Sequence, residues 1–205
     1  MDVDAVFFDF GGVILSSPFD AFAVYETRVG LPPDAVRTVN ATNPDTNAWS
    51  RFERNELDVD EFVAVFEREA RELGYDIDAR EVLACLDGEL RPQMVDAVRR
   101  CGERFTTALL TNNVVSMSVT DELAHVLDLF DVIIESSVVG VRKPELAFYE
   151  LACERAGVDP RRVVFLDDLG VNLKPARELG MATIKVGDPA VAIAELEELV
   201  GVPLR

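Results

Sequence analysis

The chain has 205 residues, 49% of them hydrophobic, and its 38 acidic against 20 basic side chains leave a net charge of −18. That length supports one full core, or a core with a small accessory domain. The charge excludes polyanionic partners, nucleic acid and anionic membrane surfaces alike, and no apolar run approaches a membrane span.

The opening residues carry Asp2 and Asp4 and no basic run, so they do not read as a signal peptide. Cys85, Cys101 and Cys153 are odd in number, sit among apolar neighbours and match no zinc spacing. They read as reduced core thiols of a cytoplasmic protein. The one histidine, His125, falls in a helical stretch, which removes any mechanism needing a histidine pair. Most of the acids read as a solvated face.

In chain order, the first element is the near-continuous apolar run Val6 to Ile14. It reads as a buried parallel strand, with Asp9 at its carboxyl end ahead of a turn at Gly11 and Gly12. Ser17-Pro18 then opens a helical region that extends to about Arg99. Phe19, Phe22, Tyr25 and Val29 form one apolar face. Val59, Phe62, Val63, Phe66, Ala70 and Leu73 form a clearer one. Shorter helices fall near residues 33–40, 46–55 and 79–86, and no strand interrupts them. From Phe105 strands and helices alternate. Strands are expected over 106–110, 131–135, 163–166 and 182–186, and helices over 119–129, 144–156, 170–180 and 191–199. Such alternation predicts an α/β fold, a Rossmann-like doubly wound parallel sheet carrying an inserted all-helical cap. The expected division is a core of residues 1–17 and 100–205 and a cap of residues 18–99.

Four strand ends or following loops bring polar groups to one rim: Asp9, the Thr111-Asn112 pair, Lys143 before Pro144, and the Asp167-Asp168 pair. Singly, each has a plain structural explanation as a turn cap, a helix N-cap or a solvated loop residue. Together they make a chemical set. Three carboxylates at one rim repel one another, and a divalent cation relieves that. Oxygen ligands without His or Cys suggest Mg²⁺. A hydroxyl, backbone N–H groups and a lysine opposite the metal form a cradle for phosphate. A carboxylate held there is placed as a nucleophile.

The order Asp-x-x-Gly-Val, Thr-Asn, Lys-Pro and Asp-Asp-x-Gly-x-Asn resembles the haloacid dehalogenase-like superfamily over nearly the whole chain. The run Phe165 to Arg177 is similar to the phosphatase-like branch found as the N-terminal domain of soluble epoxide hydrolases and of acyl-CoA dehydrogenase fusions. No second catalytic domain is expected in this length. The resemblance implies that Asp9 attacks phosphorus and forms an aspartyl-phosphate. It implies Mg²⁺ held by Asp9, the Gly11 carbonyl and Asp168, with Asp167 acting mainly through a water on the metal. Thr111, Asn112 and Lys143 would bind the phosphoryl oxygens, and Asn172 would orient the acidic loop or Lys143. The implied partner is a small-molecule phosphate.

One departure stands out. Most phosphatases of the superfamily carry a second Asp two residues after the nucleophile, as general acid and base. Here that residue is Gly11. Such a group contributes about 10²–10⁴-fold, so phosphates with good leaving groups are the expected substrates. In the cap, the amide- and hydroxyl-rich segment 40–49 offers Asn43, Asn47 and Trp49 as leaving-group contacts, or else a capped turn with a core tryptophan. Two other activities remain open on the residues alone: 2-haloacid dehalogenation through an ester on Asp9, and a non-catalytic metal- or phosphate-binding domain.

Overall fold

The computed structural model describes residues 2–113 and 121–204. Strands β1 (Ala5–Phe8), β2 (Thr106–Thr111), β3 (Val132–Glu135), β4 (Val163–Asp167) and β5 (Ala182–Lys185) form one parallel sheet in the order β3-β2-β1-β4-β5. The chain builds outward from β1 through β2 to β3, then returns to the other side of β1 for β4 and β5. The order therefore reverses beside β1, and in sheets of this type ligands bind outside the carboxyl ends at that point.

The first strand is shorter than the apolar run. It ends at Phe8, and Phe10–Ile14 forms a wide irregular turn closed by the Leu15 N–H donating to the Phe10 carbonyl at 2.9 Å. The turn is built on Gly12, whose φ of +77° is left-handed. A Cβ at Gly12 would also lie 2.3 Å from Asp168 Oδ2. Glycine is thus required by the backbone and by the approach of the second acidic strand end.

Helices α1 (Pro18–Val29), α2 (Ala35–Ala41), α3 (Ala48–Glu53), α4 (Val59–Glu72) and α5 (Ala79–Ala84) follow without a strand among them. They share a core of their own, with Phe22, Val36, Phe52, Phe62, Phe66 and Val82 at its centre. α4 starts on a reciprocal capping box between Asp58 and Glu61. Leu73, expected on its apolar face, is the C-cap and is exposed.

Helix α6 (Pro92–Cys101) lies inside the expected cap stretch, yet its Met94, Ala97, Val98 and Cys101 join the cluster under Val6 and Phe8 of the sheet. α7 (Asp121–Leu127) and α11 (Pro189–Val200) pack into that same cluster through Val126, Ala192, Ile193 and Leu196. The expected helix over 119–129 begins in residues outside those described. The short α8 (Ser136–Val139) follows β3. α9 (Leu146–Ala156) and α10 (Gly170–Glu178) cover the opposite sheet face, where Phe148, Tyr149, Ala152, Leu173 and Ala176 meet Phe7 and Phe165. The sheet is therefore covered on both faces, as the unbroken apolar runs of β1 and β4 require. No described helix is long and apolar enough to cross a membrane.

Candidate active site

Asp9 and Asp167 are neighbours at the carboxyl edge because Phe8 and Leu166 are partners in register. The Asp9 N–H donates to the Leu166 carbonyl at 2.9 Å. Lys143 enters between the two carboxylates. Its Nζ lies 2.6 Å from Asp9 Oδ1 and 2.8 Å from Asp167 Oδ2, and it also donates to the Leu110 carbonyl at 2.8 Å. The lysine is 1% exposed, and Asp167 is fully buried. Burial alone would lower the Lys143 pKa, but Asp167 and Asp9 outweigh it and raise it. Burial lifts the Asp9 carboxyl well above its ordinary value, reinforced by Asp167 and opposed by Lys143. Burial and Asp167 push Asp168 up to about 6.

Asp167 is the most completely bonded of the three acids. Besides Lys143 it accepts from the Leu169 N–H at 2.8 Å and from Asn172 Nδ2 at 3.0 and 3.1 Å. The Asn172 carbonyl in turn accepts from the Tyr149 hydroxyl at 2.7 Å, which ties α10 to α9. Asp168 instead faces the cavity, beside Asp9 and Gly11.

Ligand oxygens of Asp9, Asp167 and Asp168 all lie within 4.8 Å of one another. With Lys143 as their ion-pair partner, three carboxylates leave two negative charges unmatched. The donor set is all oxygen and anionic. It fits one hard divalent cation in charge and in chemistry.

Thr111, the last residue of β2, and Asn112 stand on the cavity wall. The Asn112 side chain clamps the Lys143 backbone from both sides: Oδ1 accepts the Lys143 N–H at 2.8 Å, and Nδ2 donates to the Lys143 carbonyl at 2.9 Å. Nδ2 also reaches Glu53 Oε2 at 3.3 Å. The cavity is about 650 Å³. Its lining includes Asp9, Thr111, Lys143 and Asp168 and an apolar group of Phe10, Leu15, Phe19, Phe22, Trp49 and Leu86, with Arg37, Asn40 and Asp45 among the other polar residues.

The three expected cap contacts are placed differently from one another. Asn47 lines the cavity but is buried, and its side chain is fully engaged. It accepts from the Ser50 N–H at 2.9 Å as the N-cap of α3 and donates to the carbonyls of Asn40 and Thr42 at 2.8 and 2.9 Å. Trp49 packs edge-on to Phe22 and Phe62, and its Nε1 donates to Glu53 Oε1 at 3.0 Å. Asn43 is an exposed residue with φ +49° and is not part of the cavity wall.

Sequence reading missed Glu53 and Arg142. Both line the cavity, and Arg142 Nε lies 2.5 Å from Glu53 Oε2 across the gap between α3 and the sheet. Arg142 also donates to the Pro44 carbonyl at 3.1 Å. Burial raises the Glu53 pKa, against the pull of Arg142 and the Trp49 N–H. In the sequence Glu53 looked like one more solvated acid. The only available signal was that Arg142 directly precedes Lys143-Pro144.

The family model for haloacid dehalogenase-like hydrolases matches residues 3–180, and the chain belongs to that family. It is 33% identical to acyl-CoA dehydrogenase family member 10 of Mus musculus and 31% identical to bifunctional epoxide hydrolase 2 of Sus scrofa. Those matches take in 98% and 100% of this chain but span only 19% and 40% of the relatives. A sesquiterpene phosphatase of Aspergillus oryzae is 27% identical over 96% of both chains. Among solved structures, a family enzyme of Bacteroides thetaiotaomicron in complex with magnesium and inorganic phosphate superimposes with a TM-score of 0.57 at 20% identity, over 90% of this chain and 94% of that one. The chain is therefore a hydrolase of this family with phosphatase homologues.

Proposed function

We propose that the protein is a Mg²⁺-dependent phosphatase of small organic phosphates that works through an aspartyl-phosphate on Asp9. The observation that carries this reading is the Asp9–Lys143–Asp167 arrangement with Asp168 beside it, of which Asp9, Lys143 and Asp168 line one cavity and Asp167 is buried behind them. Asp9, the Gly11 carbonyl and Asp168 would hold the metal, whose charge lets an anionic nucleophile meet an anionic phosphate. Asp167, saturated by Lys143, Asn172 and the Leu169 N–H, keeps the lysine in place and stands behind Asp168 rather than beside it as an equal ligand.

The Thr111 hydroxyl, the Asn112 N–H and the Lys143 ammonium bind the phosphoryl oxygens. Asp9 attacks phosphorus as the bond to the alcohol oxygen breaks. Gly11 brings no proton to that oxygen, so esters of weakly basic alcohols react best. Water then attacks phosphorus and releases Asp9. The apolar cavity wall supports substrates whose organic part is itself apolar, in line with the sesquiterpene phosphatase among the relatives. The free thiols Cys85, Cys101 and Cys153 accord with a reducing compartment such as the cytoplasm.

The test is hydrolysis of p-nitrophenyl phosphate with Mg²⁺ and with EDTA, beside Asp9→Asn. Activity that needs both the metal and Asp9 upholds the reading. A folded, Mg²⁺-binding protein without that activity overturns it.

A further inference from the structure

One buried carboxylate on the cap grips the phosphate site from above. Glu53 closes α3 and is 7% exposed. Its Oε2 takes Arg142 Nε at 2.5 Å and Asn112 Nδ2 at 3.3 Å, while its Oε1 takes Trp49 Nε1 at 3.0 Å. Arg142 is the residue before Lys143, and Asn112 is the residue that clamps the Lys143 backbone on both sides. A single side chain of the helical layer thus holds both supports of the lysine whose Nζ bridges Asp9 and Asp167.

We propose that Glu53 is a positioning residue that couples the seating of the cap to the placement of Lys143. The assignment rests on the phosphatase reading for its kinetic readout, and on the hydrogen-bond chain for its structural one. Glu53 does not touch the reacting atoms. It acts through Asn112 and Arg142, and Trp49 sits on its other oxygen as a built-in reporter. The chain has one tryptophan, so emission comes from Trp49 and its immediate surroundings, with Glu53 as the hydrogen-bond partner of its Nε1.

A second link between the helical layer and the sheet domain supplies the control. Arg54 pairs with Glu145 at 3.4 Å and donates to the Asp45 carbonyl at 3.0 Å, and neither contact touches Asn112 or Arg142. If Glu53 only tethers the cap, Glu53→Gln and Arg54→Gln have the same effect. If it positions the lysine, only Glu53→Gln changes the chemistry. The amide is isosteric with the acid but presents a donor or a neutral oxygen where Arg142 and Asn112 need an anion.

The experiment uses the full chain with Mg²⁺. It measures kcat and KM on p-nitrophenyl phosphate, and in parallel the Trp49 emission change on adding inorganic phosphate, with phosphate binding followed by calorimetry. The expected result for Glu53→Gln is a fall in kcat of about 10²-fold, the size of effect that a small misplacement of a catalytic group produces. KM moves little, and phosphate still binds but without the emission change. Glu53→Asp keeps the charge and recovers part of both signals. Arg54→Gln keeps kcat and the emission change. Equal losses in Glu53→Gln and Arg54→Gln overturn the proposal, as does a rise in KM alone or an emission change that survives in Glu53→Gln. If Glu53→Gln does not fold, Glu53→Asp carries the same comparison against Arg54→Gln. The fluorescence arm needs phosphate binding and no turnover, so it decides the proposal even where hydrolysis fails.

Discussion

Gly11→Asp should restore the proton that the site lacks, and the backbone is ready for it. Gly11 has φ −67° and ψ 131°, a region open to any residue, unlike Gly12 next to it. A Cβ built on Gly11 meets only Pro18 Cδ at 3.8 Å, an ordinary contact, and the residue lines the cavity. The new carboxyl enters without moving the turn. General acid catalysis of leaving-group departure contributes about 10²–10⁴-fold. At about 1.4 kcal/mol for each factor of ten, that is roughly 3–5 kcal/mol off the barrier. The assay compares kcat/KM, which reports the first irreversible step, on an alkyl phosphate and on p-nitrophenyl phosphate. The alkyl value should rise by about 10² or more, at the low end of that range. The aryl value should hold, since its leaving group departs as the anion. An equal rise on both substrates, or no rise in a folded variant, would refute the argument that Gly11 limits proton delivery. Gly12→Ala is the opposite case. Its φ of +77° and the 2.3 Å approach of Asp168 should abolish Mg²⁺ binding, as read by calorimetry.

Asn172→Ala removes both bonds from the amide to Asp167, leaving its carboxylate held by Lys143 and the Leu169 N–H. Loss of such an outer partner typically weakens metal affinity by about 10–100-fold, and Mg²⁺ titration checks it. The pH dependence of stability has a definite sign. Asp168 titrates near 6 when folded against 3.8 for the ordinary group, so the folded state holds the extra proton. Its contribution is complete below about pH 4 and is lost as the pH rises through 6, at most about 3 kcal/mol at ~1.36 kcal/mol per unit. Thermal melts without metal should therefore fall over that window, Asp168→Asn should flatten the fall, and Mg²⁺ should reverse it at neutral pH; a melting temperature that climbs from pH 4 to 6 contradicts the assignment. Asn47→Ala deletes the α3 cap and two further bonds, which should lower stability by about 1–2 kcal/mol while leaving the ranking of substrates unchanged.

The sheet was legible because its two central strands are unbroken apolar runs ending in a polar residue, Val6-Phe7-Phe8 before Asp9 and Val163 through Leu166 before Asp167, with β2, β3 and β5 carrying shorter apolar stretches. Parallel strands buried on both faces write themselves that plainly. The same apolar continuity hid the end of β1. Val13 and Ile14 are as buried as Val6, but they are buried in a turn, and only the left-handed Gly12 shows the difference. Motifs also outran local pattern in placing Asp9, Thr111, Asn112, Lys143 and Asp167 together, since their chain order is specific where their neighbourhoods are not. Glu53 was invisible for a physical reason. A buried acid is tolerated only when its partners are close, and here Arg142 lies 89 positions away. The segment 40–49 looked like a recognition loop because it is rich in amides. Most of Asn47's bonding capacity goes instead into turning the chain between α2 and α3.

The two connections between the sheet and the helical layer run side by side. Leu15 and Leu90 form an antiparallel bridge, with the Ser16 N–H donating to Glu89 at 2.8 Å and the Arg91 N–H to Ile14 at 2.9 Å. From the sheet, everything between them is a single loop whose ends are already joined. Lengthening a loop with fixed ends costs little, about 0.6 kcal/mol for each doubling. The sheet and the acidic rim at its edge are thus insulated from the length of what hangs above them, and Glu53 is the side chain through which the sequence of that layer still reaches Lys143. A helical insert from a relative could be grafted across this one stitch, provided that it brought a carboxylate to the place of Glu53 beside Asn112 and Arg142.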